Sequence, residues 1–259
     1  GVTTTPEGFK FVYQTWKKNP KEGFELIQAP TASNPHLPEN YIQNLKDIYP
    51  SAQLAAYLRG EFVNLAQATV YDCYDRDENN SEEEATEFDH LIIGMDFNVT
   101  NMSGVVYVQR GEVYHAVHEF HGIYDTPTMI SHIYETFPRN KISVYPDASG
   151  ASRKSVNASI SDIALLEQAR FNVCAPRKNP FIKDRVMAAN SAFSNKRLMV
   201  NKEKCPELAS CLEQLTYDNN GLPDKSMNVD HLPDAATYPV AMLMPILKPI
   251  SVVPFRFVV

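Results

Sequence analysis

The chain has 259 residues, 44% apolar and 21% charged, enough for a real core in one large or two small domains. No run of about 18 apolar residues occurs, which excludes a helix that crosses a membrane, and an opening of Gly1-Val2-Thr3-Thr4-Thr5, neither a secretory signal nor a natural start, marks the chain as an expected piece of a longer protein. The formal net charge of -7 looks hostile to a polyanionic partner, yet Asp75, Asp77, Glu78, Glu82, Glu83, Glu84, Glu87 and Asp89 stand together against Arg76 alone; this stretch carries the whole imbalance, so nucleic acid is not excluded.

In chain order, residues 24–28 alternate like a short strand. Leu37, Tyr41, Leu45 and Ile48 recur at three or four, which predicts a helix over 37–49. Ser51 is placed to cap a second helix running to about Leu58. This front segment, residues 1–74, is too small to complete a core by itself. The acidic stretch, with Asn79-Asn80-Ser81, is almost free of apolar side chains and reads as a solvated linker over 75–89. A main domain over 90–259 follows. Residues 90–97 form an apolar strand, and 103–109 and 112–120 form two more, joined at Arg110-Gly111. The pattern then predicts a helix over 127–137, a fourth strand over 141–145 ending in Pro146-Asp147, and a helix over 161–170. A strand over 171–175, a helix over 182–193, a strand over 197–200 and a helix over 206–215 come next, and a last helix starts near His231. Three consecutive strands followed by alternating helices and strands indicate an α/β domain with a mixed sheet flanked by helices. Cys73, Cys174, Cys205 and Cys211 form no C-x-x-C pair and read as buried or partly buried thiols in a reducing compartment, not as a zinc or disulfide framework.

Three carboxylate positions stand where strands end or a helix begins: Asp96 after the first strand, Asp147 after the fourth, and the pair Asp230 and Asp234 opening the last helix. Strand ends of an open α/β sheet line the crevice where ligands bind. Acids gathered there repel one another and take up protons unless a cation keeps them ionised. Hard divalent ions such as Mg²⁺ prefer such oxygens and retain water for substrate phosphates, and two of them about 4 Å apart serve phosphodiester hydrolysis. Any one of these residues alone reads better as a turn or cap; together they favour phosphoryl transfer on nucleic acid. Asn98 and Ser149 are either turn residues or ligands through water.

The segments Gly94-Met95-Asp96-Phe97, Tyr145-Pro146-Asp147-Ala148-Ser149-Gly150 and His231-x-x-Asp234-Ala235-x-x-Tyr238 resemble the nuclease domain of tailed-phage and related viral terminase large subunits, over about 90–244. Thr3-Thr4-Thr5-Pro6-Glu7-Gly8-Phe9, Asn34-Pro35-His36-Leu37 and Arg59-Gly60-Glu61-Phe62 are similar to the tail of that family's ATPase domain. No phosphate-binding G-x-x-x-x-G-K-[ST] loop is present, so these residues by themselves are not expected to hydrolyse ATP. The resemblance implies a ribonuclease H-like fold and an endonuclease that cuts concatemeric double-stranded DNA with two Mg²⁺ or Mn²⁺ ions. It also implies a small terminase subunit and a portal protein as partners, no membrane, and the host-cell cytoplasm as the place of work. The rival expectations are a junction resolvase or transposase of the same fold, and a non-catalytic motor or binding fragment.

Pro233 places the helix start just before it, so Asp230 falls at the N-cap, with a capping role of its own. Asp234 lies inside the first turns and is the expected third ligand, with His231 on the same face supporting it and Asp230 in reserve. Arg153, Lys154, Lys178, Lys183 and Arg185 follow the strand ends that bear the acids; such charges are solvated faces by default and phosphate contacts by position. His115, His118 and His121 recur every third residue, which puts neighbours on opposite faces of a strand and excludes a shared metal.

Overall fold

The computed structural model describes residues 11–37, 41–42, 58, 69–98, 101–151, 161–218 and 221–246. A six-stranded sheet runs in the order β5-β4-β1-β2-β3-β6. Its strands are β1 (His90–Asp96), β2 (Met102–Arg110), β3 (Val113–Ile123), β4 (Lys141–Pro146), β5 (Asn172–Val173) and β6 (Leu198–Val200). β1, β2 and β3 pair antiparallel, while β4, β5 and β6 join in parallel, giving the expected mixed sheet. Gly111 makes the β2–β3 turn with φ +61°, a conformation that glycine adopts without strain.

Helices cover both faces. α1 (Thr126–Thr136) and α2 (Asp162–Gln168) pack over Leu91, Ile93, Met95, Val106 and Val144. α3 (Ile182–Ser194), α4 (Pro206–Gln214) and α5 (His231–Leu243) cover the other side around Val105, Tyr107 and Ala116. The starts follow the sequence chemistry: the Asp125 and Ser161 side chains accept from Thr128 N–H and Ala164 N–H, at 2.9 and 3.2 Å. Pro206 opens α4, whose next two N–H groups are accepted by Glu119 of β3 at 3.0 and 2.7 Å.

Several expectations change. Residues 24–28 form no strand. The helices expected over 37–49 and 51–58, the motif at 3–9 and residues 59–62 lie largely or wholly outside the described residues. Cys73 is exposed rather than covered, while Cys205 and Cys211 are buried. The acidic stretch is not simply solvated. Asn79 and Ser81 are buried, and Ser81 N–H and Asn79 C=O pair with Val200 of β6 at 3.0 and 2.9 Å. Its acids meet the domain's cations in Lys196–Glu78, Lys202–Asp77, Lys204–Glu84 and Arg110–Asp89 pairs. Polar side chains served this backbone attachment where apolar ones were missing.

Candidate active site

Side-chain alternation places the first two acids. Leu91, Ile93 and Met95 of β1, and Ile142 and Val144 of β4, enter the core under α1 and α2. Gly94 and Asp96 therefore point to the opposite face, under α5. β1 and β4 are parallel neighbours with Met95 opposite Pro146, and Asp147 N–H donates to Met95 C=O at 2.9 Å. Asp96 and Asp147 thus end adjacent strands in register.

α5 supplies the rest because it lies unusually close to β1. A Cβ on Gly94 would stand 2.0 Å from Ala235 C=O and 2.7 Å from Pro239. Pro239, inside the helix, has no N–H for that carbonyl, and the helix rests there on bare backbone. Its first turn then overhangs the end of β1, where His231 Nδ1 lies 3.1 Å from Asp96 Oδ2 and Asn98 Nδ2 lies 3.0 Å from His231 Nε2. The hydrogen bond to Asp96 raises the His231 pKa against the opposing effect of burial.

Asp230 does not cap α5: its backbone is helical and its side chain makes no cap bond. Its carboxylate is 1% exposed and points instead into the loop before the helix, where Lys225 Nζ lies 3.0 Å from Oδ2; Oδ1 has no hydrogen-bond partner among the described residues. Asp234 is held differently. Arg185, 4% exposed, places Nη2 at 3.0 Å from Asp234 Oδ1, bonds Thr237 Oγ1, and lies 4.4 Å over the Tyr238 ring. Burial raises the Asp234 pKa and Arg185 opposes the rise. Arg185 therefore faces inward and offers nothing to DNA, contrary to the expectation from its position after β5. It sits on the apolar face of α3 with Ala188, Ala189 and Ala192, a spacing the sequence already displayed.

Asp147 is fixed by Ser149, whose N–H and Oγ donate at 2.8 and 2.9 Å, and by Asn179 Nδ2 at 2.5 Å; Asn179 Oδ1 also accepts from Ala148 N–H. Gly150 lies against the Phe97 ring, tying this loop to the end of β1. Asn179 carries no sequence signal, since it meets Asp147 only through the fold. Lys178 and Lys183 are exposed beside it, Lys178 5.7 Å from the Phe181 ring, while Arg153 and Lys154 lie outside the described residues.

An open cleft of about 320 Å³ is lined by Asp96, Phe97, Asn98, Lys225, Asn228, Asp230 and His231. Asp147 and Asp234 flank it without lining it. Among the described residues, no three His, Cys, Asp or Glu side chains stand close enough together to hold one metal ion as placed. The donor chemistry nevertheless fits a hard cation: Asp230, which lines the cleft together with Asp96, has a buried carboxylate oxygen without a hydrogen-bond partner among the described residues, and the only lysine or arginine on the cleft wall among the described residues is mostly exposed.

The profile of the family described as Terminase RNaseH-like domain matches residues 93–243, more than half of the chain and every element of the site. The chain belongs to this terminase family. Its fold is similar to the large terminase of a thermophilic bacteriophage, with TM-scores of 0.56 and 0.55 in two crystal forms at 18% identity, covering 92% of this chain. The chain spans only 60% of that protein's length in the first of these. The P22 large terminase nuclease domain is similar over 68% of this chain and 92% of its own, at 14% identity and TM-score 0.54. No curated protein matches this terminase chain. The mixed six-stranded sheet is that of the family's ribonuclease H-like domain.

Proposed function

We propose that this chain is the endonuclease portion of a viral DNA-packaging terminase large subunit, cutting concatemeric double-stranded DNA with two Mg²⁺ or Mn²⁺ ions. The observation that carries the proposal is the buried Asp230 carboxylate oxygen, without a hydrogen-bond partner among the described residues, on a polar cleft at the strand ends that Asp96 also lines. Asp96, Asp147 and Asp230 would hold the ions, with His231 orienting Asp96. Asp234 moves to reserve, because Arg185 already engages one of its oxygens. Divalent ions, when bound, activate water and stabilise the leaving oxygen of a phosphodiester.

The chain's own residues do the positioning. Asn179 and Ser149 fix Asp147, Arg185 locks the start of α5, and Phe97 against Gly150 couples the two strand ends. Lys178 and Lys183, exposed beside the Asp147 loop, with Arg153 and Lys154, are assigned to DNA phosphates. The front segment, residues 1–74, is assigned to the tail of an ATPase domain joined through 75–89 to a nuclease domain over 90–259. A small terminase subunit, a portal protein and the host-cell cytoplasm complete the proposal; no helix among the described residues is long and apolar enough to cross a membrane.

A second reading has its own support. Arg185 and Lys225 already neutralise the acids of α5, as they would in a purely structural ion-pair network of a non-catalytic fragment. Incubation of the chain with supercoiled plasmid, in Mg²⁺, Mn²⁺ or chelator, separates the two. Nicked and linear product only in the metal lanes is expected; intact plasmid together with no metal binding would establish the second reading.

A further inference from the structure

Lys225 lies in the loop joining α4 to α5, a segment that carries no motif of its own. The loop is a surface hairpin: Tyr217 bridges Pro223, Asp218 N–H donates to Leu222 C=O at 2.7 Å, and Asp224 N–H donates to Thr216 C=O at 2.8 Å. A tight turn follows, in which Ser226 N–H donates to the Asp224 side chain and Asn228 N–H to Lys225 C=O, at 2.9 and 3.2 Å. Asn228, with φ +53°, reverses the chain toward α5. This turn fixes the backbone of Lys225 at the mouth of the cleft and leaves a long side chain to reach inward.

The reach ends among carboxylates. Nζ is 3.0 Å from Asp230 Oδ2 and 3.8 Å from Asp234 Oδ2, and Asp96 also lies within its electrostatic range. Asp230 is buried, its other oxygen has no hydrogen-bond partner among the described residues, and the ammonium is the cation that faces it. Arg185 cannot take over, being engaged on Asp234 and stacked on Tyr238. Yet the Lys225 side chain is 65% exposed and rises from a surface turn, so it can leave without disturbing the core.

We infer that Lys225 is a resident counter-ion that occupies the acid cluster in place of a divalent cation and is displaced when one binds. This rests on the proposed metal-dependent reading of the same cleft and adds a residue to it. A single ammonium satisfies one carboxylate well and a second only at long range. A doubly charged ion binds several carboxylate oxygens at once. The exchange keeps the buried acids compensated in both states, so the cluster survives without metal, and each binding event must expel the lysine. Removing the ammonium therefore both strengthens metal binding and weakens the metal-free fold.

The test is calorimetric titration of the full chain with Mn²⁺ alone, comparing wild type with Lys225→Met, which keeps the apolar stem, and Lys225→Arg, which keeps the charge. Melting curves with and without Mn²⁺ accompany it. The expected result is at least fivefold tighter Mn²⁺ binding by K225M, a lower metal-free Tm, and a larger Mn²⁺-induced rise in Tm than wild type shows. K225R should stay within about twofold of wild type. Mn²⁺ affinity that is equal or weaker in a folded K225M, where wild type binds, overturns the displacement while leaving the metal reading intact. Absence of Mn²⁺ binding by both wild type and K225M overturns the metal reading, and the displacement with it. If K225M does not fold, K225R decides: binding more than fivefold tighter with the charge retained overturns the inference, and binding close to wild type supports it.

Discussion

Gly94→Ala is the sharpest probe of how the site is assembled. The added Cβ would lie 2.0 Å from Ala235 C=O and 3.0 Å from its carbon, both backbone atoms that cannot rotate away. Ordinary contact begins near 3.4 Å, so α5 must retreat by on the order of 1 Å. Overpacking of this kind costs roughly 1–3 kcal/mol, and an approach of 2.0 Å to a backbone atom puts it in the upper part of that range, about 2–3 kcal/mol. Alanine in a strand interior gains back at most about 1 kcal/mol over glycine, so the clash wins, by about 1–2 kcal/mol. For a chain of this size that is roughly 2–8 °C in Tm. The same retreat carries His231 away from Asp96, now at 3.1 Å, and a displacement of about 1 Å at a catalytic constellation reduces rate on the order of 100-fold. Gly104→Ala is the matched control. Its Cβ would meet the Met129 and Phe120 side chains at 3.6 Å and Gly94 C=O at 3.7 Å, all ordinary contacts, so its Tm should stay within about 2 °C. Scanning calorimetry and plasmid nicking read both variants. If Gly94→Ala melts like wild type, or no lower than Gly104→Ala, α5 does not rest on bare β1 backbone and the account of the site's assembly is wrong.

Asp230→Asn should abolish nicking and weaken Mn²⁺ binding at least tenfold, whereas Asp234→Asn should keep measurable binding but melt lower, because it leaves the buried Arg185 without its partner; the opposite pattern in paired titrations and melts restores Asp234 as ligand. Asn179→Ala should lower the cleavage rate about tenfold or more with little change in DNA affinity, as Asp147 loses its shortest hydrogen bond; unchanged single-turnover rates would make Asn179 only a loop residue. Asp89, bonded bidentately to Arg110 at 2.7 and 3.0 Å, has its pKa held well below the usual carboxylate range, chiefly by that hydrogen bond. A depressed folded pKa contributes stability above the unfolded value of about 3.9 and loses it as pH falls below. Asp89→Asn should therefore cost about 1 kcal/mol at pH 7 and progressively less below pH 4, and a gap in Tm that stays constant down to pH 3 would refute the pairing.

Much of the fold was legible because its signals are local. The unbroken apolar run of β1 and the alternation that sends Asp96 and Asp147 to one face follow from strand geometry. Asp125, Ser161 and Pro206 announced their helices through cap chemistry. The inward turn of Arg185 was also legible, through its spacing with Ala188, Ala189 and Ala192, a signal that competes with its position after a strand end beside the acids. The capping role given to Asp230 failed for a different reason. A residue before a helix is a cap only if its side chain has no better partner, and Lys225 is brought to it by a hairpin closed through Tyr217 and Pro223. Asn179 is the same kind of case: what it holds is decided by the parallel stacking of β4 and β5, which no short window of sequence contains.

The attachment of the acidic stretch to β6 gives the sheet an electrical polarity. At the β6 edge, Lys196, Lys202 and Lys204 are consumed by Glu78, Asp77 and Glu84, and surplus acids remain outside them. At the opposite edge, beyond β5, Arg177, Lys178 and Lys183 are exposed with no ion pair among the described residues. Under the proposed function, a polyanion is repelled from one rim and drawn to the other, which biases its approach toward the edge beside β4 and β5. A charge imbalance that looked at first like an obstacle to binding phosphates becomes, once fastened to one side, a compass for them.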